Sequence, residues 1–216
     1  MLDAIHLSCE RGERTLFAGL NFAVAPGSLL RVAGSNGTGK TSLLRILCGL
    51  LEPTAGEVRW RGQDIRRTRD EYLRDLVYIG HLNGVKDELT VRENLQIAQA
   101  IAGRRLDDTT ARRSLEAVGI GHVEHTMARF LSQGQRRRIA LARLFATPDA
   151  PLWILDEPFT ALDVRGVAAL SQLISSHVVH GNTVVLVTHQ DVAIEVQRQQ
   201  DVELNGGPGS IAEAAC

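Results

Sequence analysis

The chain has 216 residues, 44% of them hydrophobic, and a formal net charge of −1. That is apolar material enough for one sizeable α/β domain, and the near-neutral balance supplies no global field for nucleic acid. Aromatic residues are only 4%, so an aliphatic core is expected. The cysteines, Cys9, Cys48 and Cys216, form neither a C-x-x-C pair nor a disulfide framework, as expected in a reducing compartment. No N-terminal signal peptide is expected. No apolar run reaches the ~20 residues that a membrane-spanning helix needs, so a soluble or peripherally attached protein is expected.

In chain order, residues 2–8 and 20–24 read as short strands, with a turn at Gly12 to Arg14. Pro26-Gly27 resets the chain for a buried strand, Leu29 to Ala33. Next comes Gly34-Ser35-Asn36-Gly37-Thr38-Gly39-Lys40-Thr41-Ser42 and a helix with inward-facing leucines, capped by Gly49. Pro53 to Gly56 is a turn, and Glu57 to Trp60 an edge strand. The charged stretch 64–75 reads as solvated surface. Leu76 to Gly80 is a buried strand with His81 at its C-terminal end. Thr90 with Glu93 is a capping box, predicting a helix to about Ile101. A second helix spans Ala111 to Val118, and a second box, Ser132 with Gln135, opens a helix to about Ala146. Leu152 to Leu155 is an unbroken apolar run, hence a central parallel strand, ending in Asp156-Glu157. Asp163 to Val179 is helical. Thr183 to Val187 is a strand followed by Thr188-His189. A last helix is expected over 191–199 and a last strand over Asp201 to Leu204. The organisation predicted is one α/β domain, residues 1–205, with a mostly parallel core sheet and an antiparallel β edge. A helical subdomain is inserted at about 88–147, and residues 206–216 form a flexible tail.

The glycine-rich stretch matches G-x-x-x-x-G-K-[ST] in the order strand, loop, helix. Its glycines let backbone N–H groups converge on phosphate, and the helix N-terminus adds its positive dipole end. Lys40 reaches the β- and γ-phosphates, Thr41 is placed to ligate Mg²⁺, and Ser42 adds a hydroxyl near the α-phosphate. This predicts a P-loop NTPase. Asp156 at a strand end is placed to hold Mg²⁺, and Glu157 to accept a proton from the attacking water. Either acid would otherwise be a solvated loop residue. Ser132 and Gly134 open a helix and are compatible with an anion site. Of the three arginines Arg136, Arg137 and Arg138, part is expected to contact phosphate and the rest to be solvated. His189 is a candidate γ-phosphate sensor, although a lone histidine at a strand end is more often structural. The pairs His122/His125 and His177/His180 lack a third metal ligand.

Together these residues resemble the ATP-binding subunits of ABC transporters over nearly the whole chain. Gly34 to Ser42 is similar to Walker A, Leu131-Ser132-Gln133-Gly134-Gln135 to the ABC signature, and Leu152 to Glu157 to Walker B. Ala161-Leu162-Asp163 is similar to the D-loop and His189 to the switch histidine. Two positions depart from the family. Arg11 stands near the place of an adenine-stacking aromatic and offers its guanidinium plane instead. His81 stands where the family usually has glutamine. With Leu7 to Arg11, Thr15 to Phe17 and Pro151 to Asp163, Ile79-Gly80-His81 resembles the ATP-binding subunits of the bacterial cytochrome c maturation system, the haem exporters. The resemblance implies ATP and Mg²⁺ as cofactors and a homodimer in which Ser132, Gly134 and Gln135 of one copy complete the site of the other. It also implies catalytic roles for Glu157, His189 and His81. Separate transmembrane subunits would supply the membrane contact, at the cytoplasmic face of the inner membrane, with no nucleic acid partner. The ATPase of another exporter (lipid, drug or lipoprotein) and a soluble ABC ATPase are the alternatives.

Overall fold

The computed structural model describes residues 1–205; the expected tail 206–216 lies outside the described residues. The strands divide into two sheets. In the first, β1 (Leu2–Arg11) pairs antiparallel with β2 (Arg14–Val24) on one side and with β4 (Ala55–Trp60) on the other, and β5 (Gln63–Asp64) follows β4. The second is wholly parallel. Its order is β6 (Leu76–Ile79), β7 (Leu152–Asp156), β8 (Thr183–Val187), β3 (Leu29–Gly34) and β9 (Gln199–Leu204). The antiparallel strands are thus a sheet of their own, and β4, expected at an edge, has a neighbour on each side.

Helix α1 (Lys40–Leu47) directs Leu43, Leu44, Ile46 and Leu47 into the core between the two sheets. Burying each such side chain is worth about 1.5–3 kcal/mol, which fixes the helix face and with it the direction of Lys40. Helix α2 (Arg69–Asp75) forms inside the charged stretch read as solvated surface. Tyr72 anchors it, fully buried with its hydroxyl donating to Leu47 O at 2.6 Å, while Trp60 Nε1 donates to Asp75 Oδ2 at 2.8 Å.

Helices α3 (Val91–Ile101), α4 (Asp108–Ala117) and α5 (Gln133–Ala146) share a separate apolar cluster that includes Val91, Leu95, Leu115 and Ile139. Both predicted capping boxes form: Thr90 with Glu93, and Ser132 with Gln135. Helix α6 (Val164–Val179) starts at Asp163, whose side chain accepts from Gly166 N at 2.7 Å. It packs on the other face of the parallel sheet, where His177 stacks on the fully buried Trp153 at 3.5 Å and 9°.

One predicted element is overturned. Residues 191–198 are not helical, and β9 begins at Gln199. Val192 and Ile194 are buried and Val196 half-buried, a spacing of two that an extended chain satisfies and a helix does not. The Arg31 guanidinium holds the segment by donating to Val192 O.

Candidate nucleotide site

The order of the parallel sheet brings the C-terminal ends of β3, β8 and β7 side by side, the place where open α/β sheets bind ligands. The loop after β3 turns tightly. Gly34 has φ +139°, and a Cβ there would stand 2.5 Å from Leu204 O and 2.8 Å from Thr38 Oγ1. Gly39, at φ +103°, caps α1 with a Cβ position 3.0 Å from Leu16 Cβ. Side chains would force this loop open. Lys40 is buried, and its Nζ donates to Gly34 O at 2.6 Å and Ser35 O at 2.9 Å. These two bonds hold the ammonium over the loop.

Thr41 Oγ1 donates to Asp156 Oδ2 at 3.1 Å, joining α1 to the end of β7. A hydroxyl and a carboxylate meeting at a phosphate cradle form the hard oxygen pair that suits Mg²⁺, which takes few protein ligands and completes its shell with water and phosphate. Among the described residues no group of three or more His, Cys, Asp or Glu could hold a metal ion. The charge of Asp156 is felt by its neighbours. Burial pushes Tyr78 up to about 12, with Cys48 and Asp156 adding to the shift. Burial also raises Cys48, again reinforced by Asp156.

Glu157 follows Asp156 in the left-handed region, at φ +50°. Its N–H donates to Val187 O at 2.9 Å, which locks it to the end of β8. The carboxylate meets His189 there: His189 N donates to Oε2 at 3.3 Å, and His189 Nε2 stands 3.5 Å from Oε1. That last approach lacks hydrogen-bond geometry, so Oε1 is a buried acceptor with no protein donor on it among the described residues. A bare buried carboxylate oxygen is costly and marks a place where a water or reacting group is expected.

Of the sequence-predicted residues, the fold brings together Lys40, Thr41, Asp156, Glu157 and His189. Arg11, Gly37, Gly39 and Ser42 line a groove of about 340 Å³ above the loop. Arg14, which sequence reading passed over, lines it too, with Nη1 3.9 Å from where a Gly37 Cβ would stand. The signal was its register: Arg14 pairs directly with Arg11 across the β1–β2 hairpin. Ser132, Gly134 and Gln135 do not line this groove. They lie at the start of α5, where Gln135 N donates to Ser132 Oγ at 3.2 Å. His81 is exposed on the loop after β6. A cavity of about 370 Å³ between α4, α5 and α6 is somewhat larger than the groove, but none of the residues at the ends of the parallel strands lines it.

Each arginine of the run 136–138 has an acceptor within the chain. Arg136 pairs with Asp87 at 2.5 Å. Arg138 pairs with Asp163 at 3.1 Å and donates to Val118 O at 3.0 Å. Arg137 is buried and hydrogen-bonded to the backbone around Asp156 and Glu157. All three are occupied within the chain, because α5 turns each onto an acceptor of a neighbouring element.

The family model for ABC transporters matches residues 17–160, more than half of the chain and including the loop, the start of α5 and the end of β7. The chain belongs to the ABC transporter family. This ABC subunit is 50% identical over 204 residues to the cytochrome c biogenesis ATP-binding export protein CcmA of Dechloromonas aromatica (strain RCB), covering 94% of this chain and 100% of that protein. It is 47% identical over 207 residues to the protein of the same name from Salmonella typhi, covering 96% of this chain and 98% of that one. It therefore belongs to that narrower family as well. Its fold is similar to an ATP-binding subunit of an ABC transporter, with a TM-score of 0.86 and 24% identity, over 99% of this chain and 90% of that one. It is likewise similar to a dimeric ATP-binding cassette in a post-hydrolysis state bound to ADP and Pi, with a TM-score of 0.84 and 23% identity, over 99% and 98% of the two chains. The ABC subunit is accordingly an ATP-binding, ATP-hydrolysing protein, and no described helix is long and apolar enough to cross a membrane.

Proposed function

We propose that this chain is the ATPase of a cytochrome c biogenesis export complex. It works as a pair of copies and energises transmembrane partners that handle haem, at the cytoplasmic face of the inner membrane. The observation that carries the hydrolytic part is the bare Glu157 Oε1, placed between Asp156 and His189 at the end of the parallel sheet. The names of the relatives support the export part.

In this reading Lys40 and the loop N–H groups hold the β- and γ-phosphates, and the guanidinium planes of Arg11 and Arg14 face the rest of the nucleotide. Thr41 and Asp156 would hold Mg²⁺, which supplies charge neutralisation on the phosphate oxygens when bound. Glu157 Oε1 accepts a hydrogen bond from the attacking water and takes its proton as the new P–O bond forms and ADP departs. His189 is fixed beside Glu157 through its own backbone N–H and turns its imidazole toward the γ-phosphate. His81 stands on an exposed loop suited to report on a membrane partner.

The case for two copies rests on Gly134. Its φ is ordinary, and a Cβ there would make only ordinary contacts, 3.4 Å from Ala161 O. Nothing among the described residues requires glycine at a helical position where it is disfavoured. A close approach from outside, by the phosphate held on a second copy, gives the missing reason. With Glu157→Gln, ATP should still bind while hydrolysis falls by about 10²- to 10⁴-fold, and the ATP-bound pair should accumulate. Light scattering with and without ATP reads this. A monomer at every ATP concentration would sink the two-copy reading.

A further inference from the structure

Arg137 lies where three elements meet. The β6–β7 ladder stops at Ile79 and Leu155, so the carbonyls just beyond it are not paired between these two strands. Arg137, projecting from α5 and only 5% exposed, takes over there. Its Nη2 donates to Asp156 O at 2.9 Å and Glu157 O at 2.8 Å. Its Nη1 donates to Gly80 O at 2.7 Å and to Asn83 Oδ1 at 3.2 Å. One edge of the guanidinium thus grips the backbone that carries the two acids. The other grips both ends of the short loop bearing His81 and the 86%-exposed Leu82.

The chemistry of the group makes this a linkage. A guanidinium is planar and rigid and stays charged when buried, and its N–H groups leave in fixed directions. Displacing the loop by a fraction of a hydrogen-bond length must therefore turn the ring or break a bond on the opposite edge. At that edge stands Glu157 at φ +50°, a conformation that a side-chain-bearing residue keeps only when its surroundings hold it. The carbonyl bond to Arg137 and the N–H bond to Val187 O fix the two peptide planes on either side of its Cα. Together they aim its carboxylate.

We propose that Arg137 is a positioning residue that ties the orientation of Glu157 to the state of the loop 80–83. The start of α5, the loop and the hydrolytic acid then move as one unit. The proposal rests on the reading of Glu157 as the acid that activates water.

The test uses the full chain with Arg137→Lys, which keeps the charge and loses the fork, and Asn83→Ala, which removes one loop-side acceptor while the buried carbonyls stay paired. Arg137→Lys should lower kcat for ATP hydrolysis by about 10- to 100-fold, the range expected for misplacing a catalytic group, with KM within about twofold. Asn83→Ala should move kcat in the same direction by about threefold. Independently of activity, amide hydrogen exchange in Arg137→Lys should speed up in residues 80–83 and 156–160 together, with the rest of the sheet unchanged. Faster exchange on one side only, or a raised KM at unchanged kcat, would overturn the linkage. If Arg137→Lys proves unstable, the same paired exchange in Asn83→Ala decides. A wild-type chain without ATPase activity would remove the hydrolytic reading, yet the exchange comparison would still judge whether Arg137 joins the two segments.

Discussion

The C-terminal edge of the parallel sheet and the start of α5, the two regions that the proposed function assigns to nucleotide, are built on opposite lines. At the sheet edge, Lys40 is buried and already bonded to its own loop, Thr41 is bonded to Asp156, and Glu157 is latched to β8. At the start of α5, Ser132 is exposed and Gly134 serves no packing need in its own chain. One region is finished by the fold. The other is held in shape by its capping box but turned outward. Under the proposed two-copy function, one copy binds nucleotide and its full chemistry waits for the second.

Lys40→Ala removes a buried charge that the loop is shaped around. Hydrolysis should fall at least about 10³-fold, in keeping with the electrostatic weight of a phosphate clamp, as a phosphate-release assay would show. Turnover at the wild-type rate would mean that phosphate is bound elsewhere.

The support beneath the sheet edge comes next. His177, buried against Trp153, is held down to about 4 by burial, with charge repulsion from His180 adding to it. The folded state therefore favours the neutral ring. Its contribution is fully present above the unfolded value near 6.5 and is lost as pH falls from there toward 4. At about 1.4 kcal/mol per pH unit, the loss amounts to ~3 kcal/mol at most. Urea midpoints measured from pH 7 to 4 should slope downward in wild type and flatten in His177→Phe, which keeps the stack. Equal slopes in both would remove His177 as the cause.

Gly134→Ala should raise stability by a few tenths of a kcal/mol, because alanine suits a helix better. The same change should lower ATP-driven pairing and hydrolysis by about tenfold, since the added methyl occupies the close approach. A variant that is both less stable and fully active would show that Gly134 serves its own chain.

The legible parts of this molecule were those that local chemistry decides. The two capping boxes and the glycine loop each lie within a few consecutive residues and form as read. Residues 191–198 are compatible with a helix, and only the neighbouring sheet face makes the alternation of Val192, Ile194 and Val196 decisive. The role of Arg137 was hidden for a related reason. Three consecutive arginines look alike in sequence, and only the rotation of α5 determines which one meets the carbonyls beyond β6 and β7. Arg14 needed the hairpin register, which the two short predicted strands had left undefined. The separation of the strands into two sheets likewise depends on long-range pairing.

The chain's two tryptophans are divided between those sheets, Trp60 in β4 and Trp153 in β7. The molecule therefore carries one optical label per layer. Trp60 donates its indole N–H to Asp75 and lies beneath the Arg61 guanidinium, 5.3 Å from its ring centre, whereas Trp153 is fully buried against an imidazole. Their emission colours should differ. Replacing either one by phenylalanine leaves a single-colour record of the other, so loosening of the antiparallel layer and loosening of the nucleotide-bearing layer can be timed separately in one cuvette.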